Sequence, residues 1–182
     1  GDQALKDKFL KNIVSLDDVC SYCLTEPGSG SDAAALKTKA IITNEGYSLN
    51  GSKSFISGGG FSDLYVVLCR TGDQTPNGIS MLLVENGHDG LSFGKKEQKM
   101  GWKAQPTAIV QFDNCSIPAA NLVGEEGAGF KYAMEGLDGG RLNIAAASLG
   151  GAQKAYDIAK AYSKERSAFG KPISKFQSIE FK

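Results

Sequence analysis

Hydrophobic and polar positions change their rhythm twice along the chain. Over the first fifteen residues Leu5, Phe9, Leu10 and Ile13 recur among lysines and aspartates, which predicts one face of a short helix. From Val19 to Cys115 the texture becomes that of strands. "VCSYCLT" opens this region. "LKTKAIIT" and "YSLNGSKSFIS" flank Asn44-Glu45-Gly46, which reads as a three-residue hairpin loop with glycine at a positive-φ position. Asn50-Gly51 reads as a further tight turn. "DLYVVLCR" and "ISMLLVEN" are almost unbroken apolar runs, the pattern of strands covered on both faces. With "GLSFGKK" and "TAIVQFDNC" the region holds about seven strands and no helix of any length. Turn signals at this spacing predict one antiparallel barrel or sandwich and argue against a parallel α/β sheet.

After "IPAANLVGEEGAG" the period switches to helical. Ala133, Met134, Leu137, Leu142, Ile144, Ala145 and Leu149 recur on a helix diluted by glycines, with a break conceivable around Gly139 and Gly140. "AQKAYDIAKAYSKER" is strongly amphipathic and is stopped by Gly170 and Pro172, while Ser174 is placed to cap one more helix. The expected organisation is α+β: the end of a helical domain over 1–18, a β domain over 19–124, and the start of a helical domain over 125–182. The chain reads as a piece of a longer protein.

Composition narrows the function classes. Among 182 residues the formal net charge is zero, which gives no electrostatic case for nucleic acid or an anionic membrane. No apolar run approaches the about 20 residues of a membrane span, and "GDQALKDKFLKN" does not read as a signal or transit peptide. Cys20 and Cys23 form a Cys-x-x-Cys spacing, but residues three apart on a strand point to opposite faces. No second pair exists, and the only histidine, His88, sits in a turn-like stretch. The cysteines, including Cys69 and Cys115, therefore read as reduced packing residues, and no metal site is expected. Lys95, Lys96, Lys99 and Lys103 read as a solvated face.

The stretch that carries candidate chemistry is "YCLTEPGSGSD", Tyr22 to Asp32. Its glycines allow backbone N–H groups to approach a ligand, and Ser29 and Ser31 add hydroxyls. A nucleotide fingerprint of the Gly-x-Gly-x-x-Gly kind is absent. Only Gly28-x-Gly30 is present, and Asp32 leads towards a strand where that fingerprint needs a helix.

Four segments in register resemble the acyl-CoA dehydrogenase flavoprotein family. "YCLTEPGSGSD" resembles its first signature, and "NGSKSFIS" its Asn-Gly-x-Lys-x-x-Ile-Ser/Thr segment. "GEEGAGFKYAMEGLDGGR" is similar to the link into its C-terminal helices, and "ERSAFGKPISKFQ" to its Glu-Arg-x-x-Phe-Gly motif ending in Gln. The resemblance implies an antiparallel β-barrel middle domain followed by the start of a C-terminal helical bundle, in a homotetramer when full-length. It also implies FAD as cofactor, an acyl-CoA as substrate and electron-transferring flavoprotein as electron acceptor. The location implied is the mitochondrial matrix, or the cytoplasm in a bacterium. "GLSFGKKEQKMGWKAQPTA", with Gln105-Pro106-Thr107, and "GLDGGRLNIAAASLG" are most like the branch that handles the short branched acyl chain of valine breakdown. Other chain-length specificities, an acyl-CoA oxidase, and a non-enzymatic β module for the isolated piece stay open at this level.

Residue roles follow from the same resemblance. Tyr22, Leu24, Thr25, Gly30 and Ser31 would line the flavin, with Leu24 and Thr25 near its ring and Ser31 also reaching towards CoA. Phe55, Ile56 and Ser57 would form the second flavin segment, the aromatic ring packing on the flavin and the hydroxyl near its N5. Strand alternation would put residues 55 and 57 on one face. Arg166 and Gln177 would hold the pyrophosphate and adenosine end of the FAD of a neighbouring subunit, a task that suits the planar guanidinium fork. Asp138, Gly139, Gly140 and Arg141 would contact substrate. Some relatives carry the catalytic base immediately before that arginine. Gly140 stands there and has no side chain, so no catalytic base is expected within these residues.

Overall fold

Residues 3–182 are described in the computed structural model, where the amphipathic start is helix α1 (Gln3–Ser15). Leu5 and Phe9 are buried against Leu64 and Leu83, with Ile13, Val66 and Val123 around them. Leu10, one residue beyond Phe9, is rotated off this stripe and lies exposed. The i, i+4, i+8 spacing of Leu5, Phe9 and Ile13 thus selects the face.

The strands are β1 (Cys20–Cys23), β2 (Lys39–Thr43), β3 (Gly46–Ser57), β4 (Leu64–Arg70), β5 (Ile79–Glu85), β6 (Leu91–Phe93) and β7 (Thr107–Pro118). They form one sheet in the order β1-β4-β2-β3-β7-β6, with β5 paired to β4. The sheet curls about a single core that draws Cys23, Ala40, Leu49, Ile56, Tyr65, Val67, Leu82, Val84, Val110 and Phe112 from six of its strands. Because α1 covers Leu64, Val66 and Leu83 from the other side, β4 and β5 are apolar on both faces.

Three local expectations are corrected. The sheet is mostly antiparallel, but β1 runs parallel to β4, with Cys20 opposite Leu64 and Cys23 opposite Val67. A single β2–β4 pair, Lys39 with Arg70, is also parallel. The long excursion through the β2–β3 hairpin separates β1 from β4, and a parallel neighbour requires such a crossover. The hairpin turn is Asn44-Glu45 alone, since Gly46 already pairs with Thr43. Asn50-Gly51 makes no turn: β3 continues through it, with a register shift against β7 between Leu49 and Gly51. Gly51 has φ of 148°, and a Cβ there would lie 2.5 Å from Thr38 Oγ1, so the bulge needs glycine.

After β3 the chain reverses through Gly58, whose φ is 82°. A Cβ at Gly58 would sit 2.2 Å from Ser62 Oγ and 2.5 Å from Ser21 Oγ. Gly58→Ala is expected to lower stability by about 2–4 kcal/mol, combining left-handed strain with overpacking. A urea midpoint equal to wild type would contradict that close approach.

The chain divides into two compact units, the first reaching Met134 and the second spanning Glu135–Lys182. Helix α2 (Gly129–Glu165) is continuous for 37 residues, so the conceivable break at Gly139-Gly140 does not occur. Two glycines cost a helix about 1 kcal/mol each against alanine, which is too little to interrupt so long a run. In the second unit α2 is followed by a short hairpin, β8 (Ser167–Ala168) with β9 (Lys171–Pro172), and by α3 (Gln177–Glu180). Ser174 caps nothing. It lies in a 3₁₀ turn, Ile173–Lys175, anchored where the Ile173 N–H donates to Arg166 O, and Phe176 precedes α3 without a side-chain cap.

Candidate functional site

Strand β1 delivers the chain to Leu24 and Thr25, and three hydrogen bonds lay this segment beside the end of β3. The Ser54 N–H donates to Thr25 O at 2.8 Å. Lys53 Nζ donates to Leu24 O at 3.1 Å, and Ser21 Oγ donates to Ser57 O at 2.6 Å. The next turn closes on itself: the Glu26 N–H donates to Ser29 O, and the Ser29 N–H donates back to Glu26 O. Ser29 Oγ then donates to Asp32 O, leaving Gly30 and Ser31 exposed at the tip. Buried Arg70 secures the following loop by donating to the carbonyls of Ala34 and Leu36.

Beside this segment β3 carries a second irregularity, a register shift against β7 between Lys53 and Ile56. Phe55 sits within it at φ of 59° and is 68% exposed. Lys53 and Ser54 are both buried, Phe55 is turned out, Ile56 is buried and Ser57 is exposed. Phe55 and Ser57 do share an outward exposure, but the bulge produces it. Plain alternation would have put Lys53 out with them, and it is fully buried. A left-handed conformation costs a non-glycine residue about 1–2 kcal/mol and recurs where backbone strain serves a site.

The two joined segments leave Tyr22, Phe55 and Ser57 exposed and Thr25 half-buried, and this stretch of surface is the candidate face. Partial burial pushes the Tyr22 phenol up to about 12, so it stays a neutral hydroxyl. No hydrogen bond within the described chain occupies the hydroxyls of Thr25 or Ser57. Leu24 and Ile56 are buried behind the face. An apolar aromatic wall edged by free neutral donors suits a flat conjugated ring with a polar rim.

Beneath the face lies a feature to which the sequence reading assigned no role. Lys53 Nζ meets Glu26 Oε1 at 2.8 Å, with the two side chains 0% and 7% exposed. Glu26 also accepts the Thr38 N–H on Oε1 at 2.9 Å and the Lys37 N–H on Oε2 at 2.7 Å. Burial alone would raise the Glu26 carboxyl. The hydrogen bond and charge of Lys53, with the Lys37 amide, outweigh it and hold the group below its ordinary range. The stabilisation is therefore complete above the ordinary glutamate value of 4.5 and is lost as pH falls through the lower folded value. The stability difference between wild type and Lys53→Met/Glu26→Gln, which leaves neither charge unpaired, is expected to be constant from neutral pH to that point and to shrink below it. Parallel curves down to the lowest pH would contradict the pairing. A lysine inside an otherwise strand-like "SKSFIS", two residues from an aromatic, was the available signal.

The remaining candidate residues stand on the second unit. Arg166 follows the last residue of α2, is exposed, and its guanidinium has no partner in the described chain. Gln177 opens α3 and is exposed. Asp138 and Arg141 form an exposed i,i+3 ion pair at 3.5 Å. A Cβ on Gly139 or Gly140 would meet nothing within 4 Å. Arg166 and Gln177 thus face solvent, Arg141 is engaged by Asp138, and no carboxylate stands at position 140.

Among the described residues no group of three or more His, Cys, Asp or Glu could hold a metal. Cys20 is exposed and Cys23 buried, on opposite faces of β1, and all four cysteines are free. Burial pushes the Cys69 thiol up to about 12 and Cys115 up to about 11, so neither is a thiolate at neutral pH.

A curled sheet with an aromatic, hydroxyl-edged face, followed by a long helix, is the layout of a known class. Residues 21–115 match the acyl-CoA dehydrogenase middle domain and residues 127–182 the acyl-CoA dehydrogenase C-terminal domain. The chain belongs to the acyl-CoA dehydrogenase family. Among its relatives, the mitochondrial isobutyryl-CoA dehydrogenase of Dictyostelium discoideum is 53% identical over 183 residues, covering 100% of this chain and 44% of that protein. The solved butyryl-CoA dehydrogenase from Megasphaera elsdenii superposes with a TM-score of 0.95 at 45% identity, covering 100% of this chain and 48% of its own. The FAD complex of PigA gives 0.94 at 31% identity, with the same 100% and 48% coverage. The chain spans about half the length of the relatives it matches.

Proposed function

We propose that the full-length protein is an FAD-dependent dehydrogenase of isobutyryl-CoA or a closely similar short branched acyl-CoA, delivering its electrons to electron-transferring flavoprotein. The observation that carries this reading is the side-by-side placement of residues 21–25 and 53–57, with Phe55 turned out and the Thr25 and Ser57 hydroxyls unpartnered. The FAD-bound neighbour and the isobutyryl-CoA dehydrogenase relative support cofactor and substrate respectively. The proposed location is the mitochondrial matrix for a eukaryotic source, which a mitochondrial relative supports as far as the organelle, and the cytoplasm for a bacterial one. The full-length protein is proposed to act as a homotetramer.

When bound, the flavin supplies hydride acceptance from the substrate β carbon. Phe55 and Tyr22 would exclude water from the ring, and Thr25 and Ser57 would donate hydrogen bonds to its polar edge. Gly30 and Ser31 would let the ligand approach the backbone at the turn. Arg166 would meet the pyrophosphate, and Gln177 the adenosine end, of the FAD held by a neighbouring subunit. Arg141, with Gly139 and Gly140, would receive the substrate, Asp138 holding the arginine until it does. The base that removes the α proton would come from residues beyond this chain.

Arg166→Ala in the full-length protein is expected to weaken FAD binding by about 2–3 kcal/mol, the range for lost charge-assisted hydrogen bonds. Titration of the apoprotein with FAD measures it. Unchanged affinity would remove Arg166 from the site.

A further inference from the structure

We propose that the buried Lys53–Glu26 pair is a positioning device for the flavin face, acting through Thr25 and Phe55 rather than by touching the cofactor. The proposal rests on the flavin reading above. A buried ion pair is weak grounds for stability as such, since apolar residues of similar volume often serve as well. Its placement is what sets this pair apart. The register shift against β7 frees the Ser54 N–H from the ladder, and that N–H is turned onto Thr25 O. Lys53, the preceding residue, donates to Leu24 O. Consecutive residues of the bulge therefore clamp consecutive carbonyls of the first flavin segment, and the next bulge residue is Phe55 in its left-handed conformation. Glu26 completes the clamp. One carboxylate ties Lys53 to the amides of Lys37 and Thr38, so that three chain segments meet on it.

The geometry couples the aromatic wall to the hydroxyl edge. Without the ammonium, Leu24 O loses the donor that Lys53 supplies, and the peptide before Thr25 is less firmly held. Without the carboxylate, the Glu26–Ser29 turn loses its hold on residues 37–38. In either case Phe55 can relax out of its strained conformation, and the preorganised relation of residues 25, 55 and 57 is lost.

The test compares wild type, Lys53→Met/Glu26→Gln, Lys53→Arg and Glu26→Gln in the full-length protein. It measures thermal unfolding, FAD affinity of the apoprotein, and the absorption spectrum and reduction potential of bound flavin. The double variant leaves no uncompensated charge and is expected to fold. Its FAD affinity should fall about ten-fold or more, because the ligand must then order the loop itself, and the spectrum and potential of bound flavin should shift. Lys53→Arg, which keeps a donor and a cation, should restore most of the affinity and the wild-type spectrum. Should the double variant not fold, the isosteric Glu26→Gln decides on the same flavin readouts. A folded variant that lacks the pair, yet binds FAD with wild-type affinity, spectrum and potential, overturns the proposal and leaves the pair a stability element. Wild type that takes up no FAD overturns the flavin reading itself and this proposal with it.

Discussion

Lys53→Met alone is expected to destabilise the protein by about 3–5 kcal/mol at neutral pH, the penalty for a buried carboxylate stripped of its cation. Glu26 would keep only the amides of Lys37 and Thr38, at 2.7 and 2.9 Å, and both are neutral donors. Burial would then dominate, and the carboxyl would move above its ordinary range instead of below it. The linkage changes sign accordingly. The variant should gain stability relative to wild type as pH falls, because its carboxyl takes up a proton on folding. Denaturant midpoints at neutral and acid pH measure both parts. A midpoint near wild type at neutral pH would mean that Glu26 is not ionised in the fold, and the clamp would then lack its charge.

The second large effect concerns turnover. Removing an α proton as hydride leaves the β carbon needs a positioned carboxylate, and such a base typically contributes about 10²–10⁴-fold. Along α2 the position before Arg141 is Gly140, and Glu135, more than a turn away, is exposed on its own part of the helix. Residues 1–182 alone, supplied with FAD and an electron acceptor, are expected to oxidise isobutyryl-CoA no faster than buffer. The full-length protein should oxidise it, and in preference to octanoyl-CoA. Activity in the isolated chain would mean that a base lies within it; a full-length preference for octanoyl-CoA would keep the family and remove the branched-chain assignment.

Much of the fold was legible because apolar runs report burial directly. "DLYVVLCR" and "ISMLLVEN" became β4 and β5, covered by the core on one side and by α1 on the other. Strand direction was less legible. Pairing β1 in parallel with β4 depends on where the chain returns after the β2–β3 hairpin, and no local pattern encodes that. Irregularities were the least legible. Asn50-Gly51 has the composition of a turn, yet it is a bulge because Thr38 approaches too closely for any side chain. Likewise the alternation rule reaches the right exposure for Phe55 and Ser57 while missing that Lys53, on the same parity, points inward. Buried charge is invisible to a hydropathy pattern, since lysine reads as surface until its partner is known. The candidate residues themselves were legible only as motif positions. Their hydrogen-bonded neighbourhood, including the carbonyls of Leu24 and Thr25 held by Lys53 and Ser54, belongs to the three-dimensional structure.

The most direct test of the dehydrogenase reading is the visible spectrum of the purified full-length protein before and after anaerobic addition of isobutyryl-CoA. The account predicts a protein-bound flavin spectrum that bleaches on adding substrate and recovers when electron-transferring flavoprotein is supplied. A protein that carries no flavin and takes none up, or a bound flavin that isobutyryl-CoA and other short acyl-CoA thioesters leave oxidised, would contradict it.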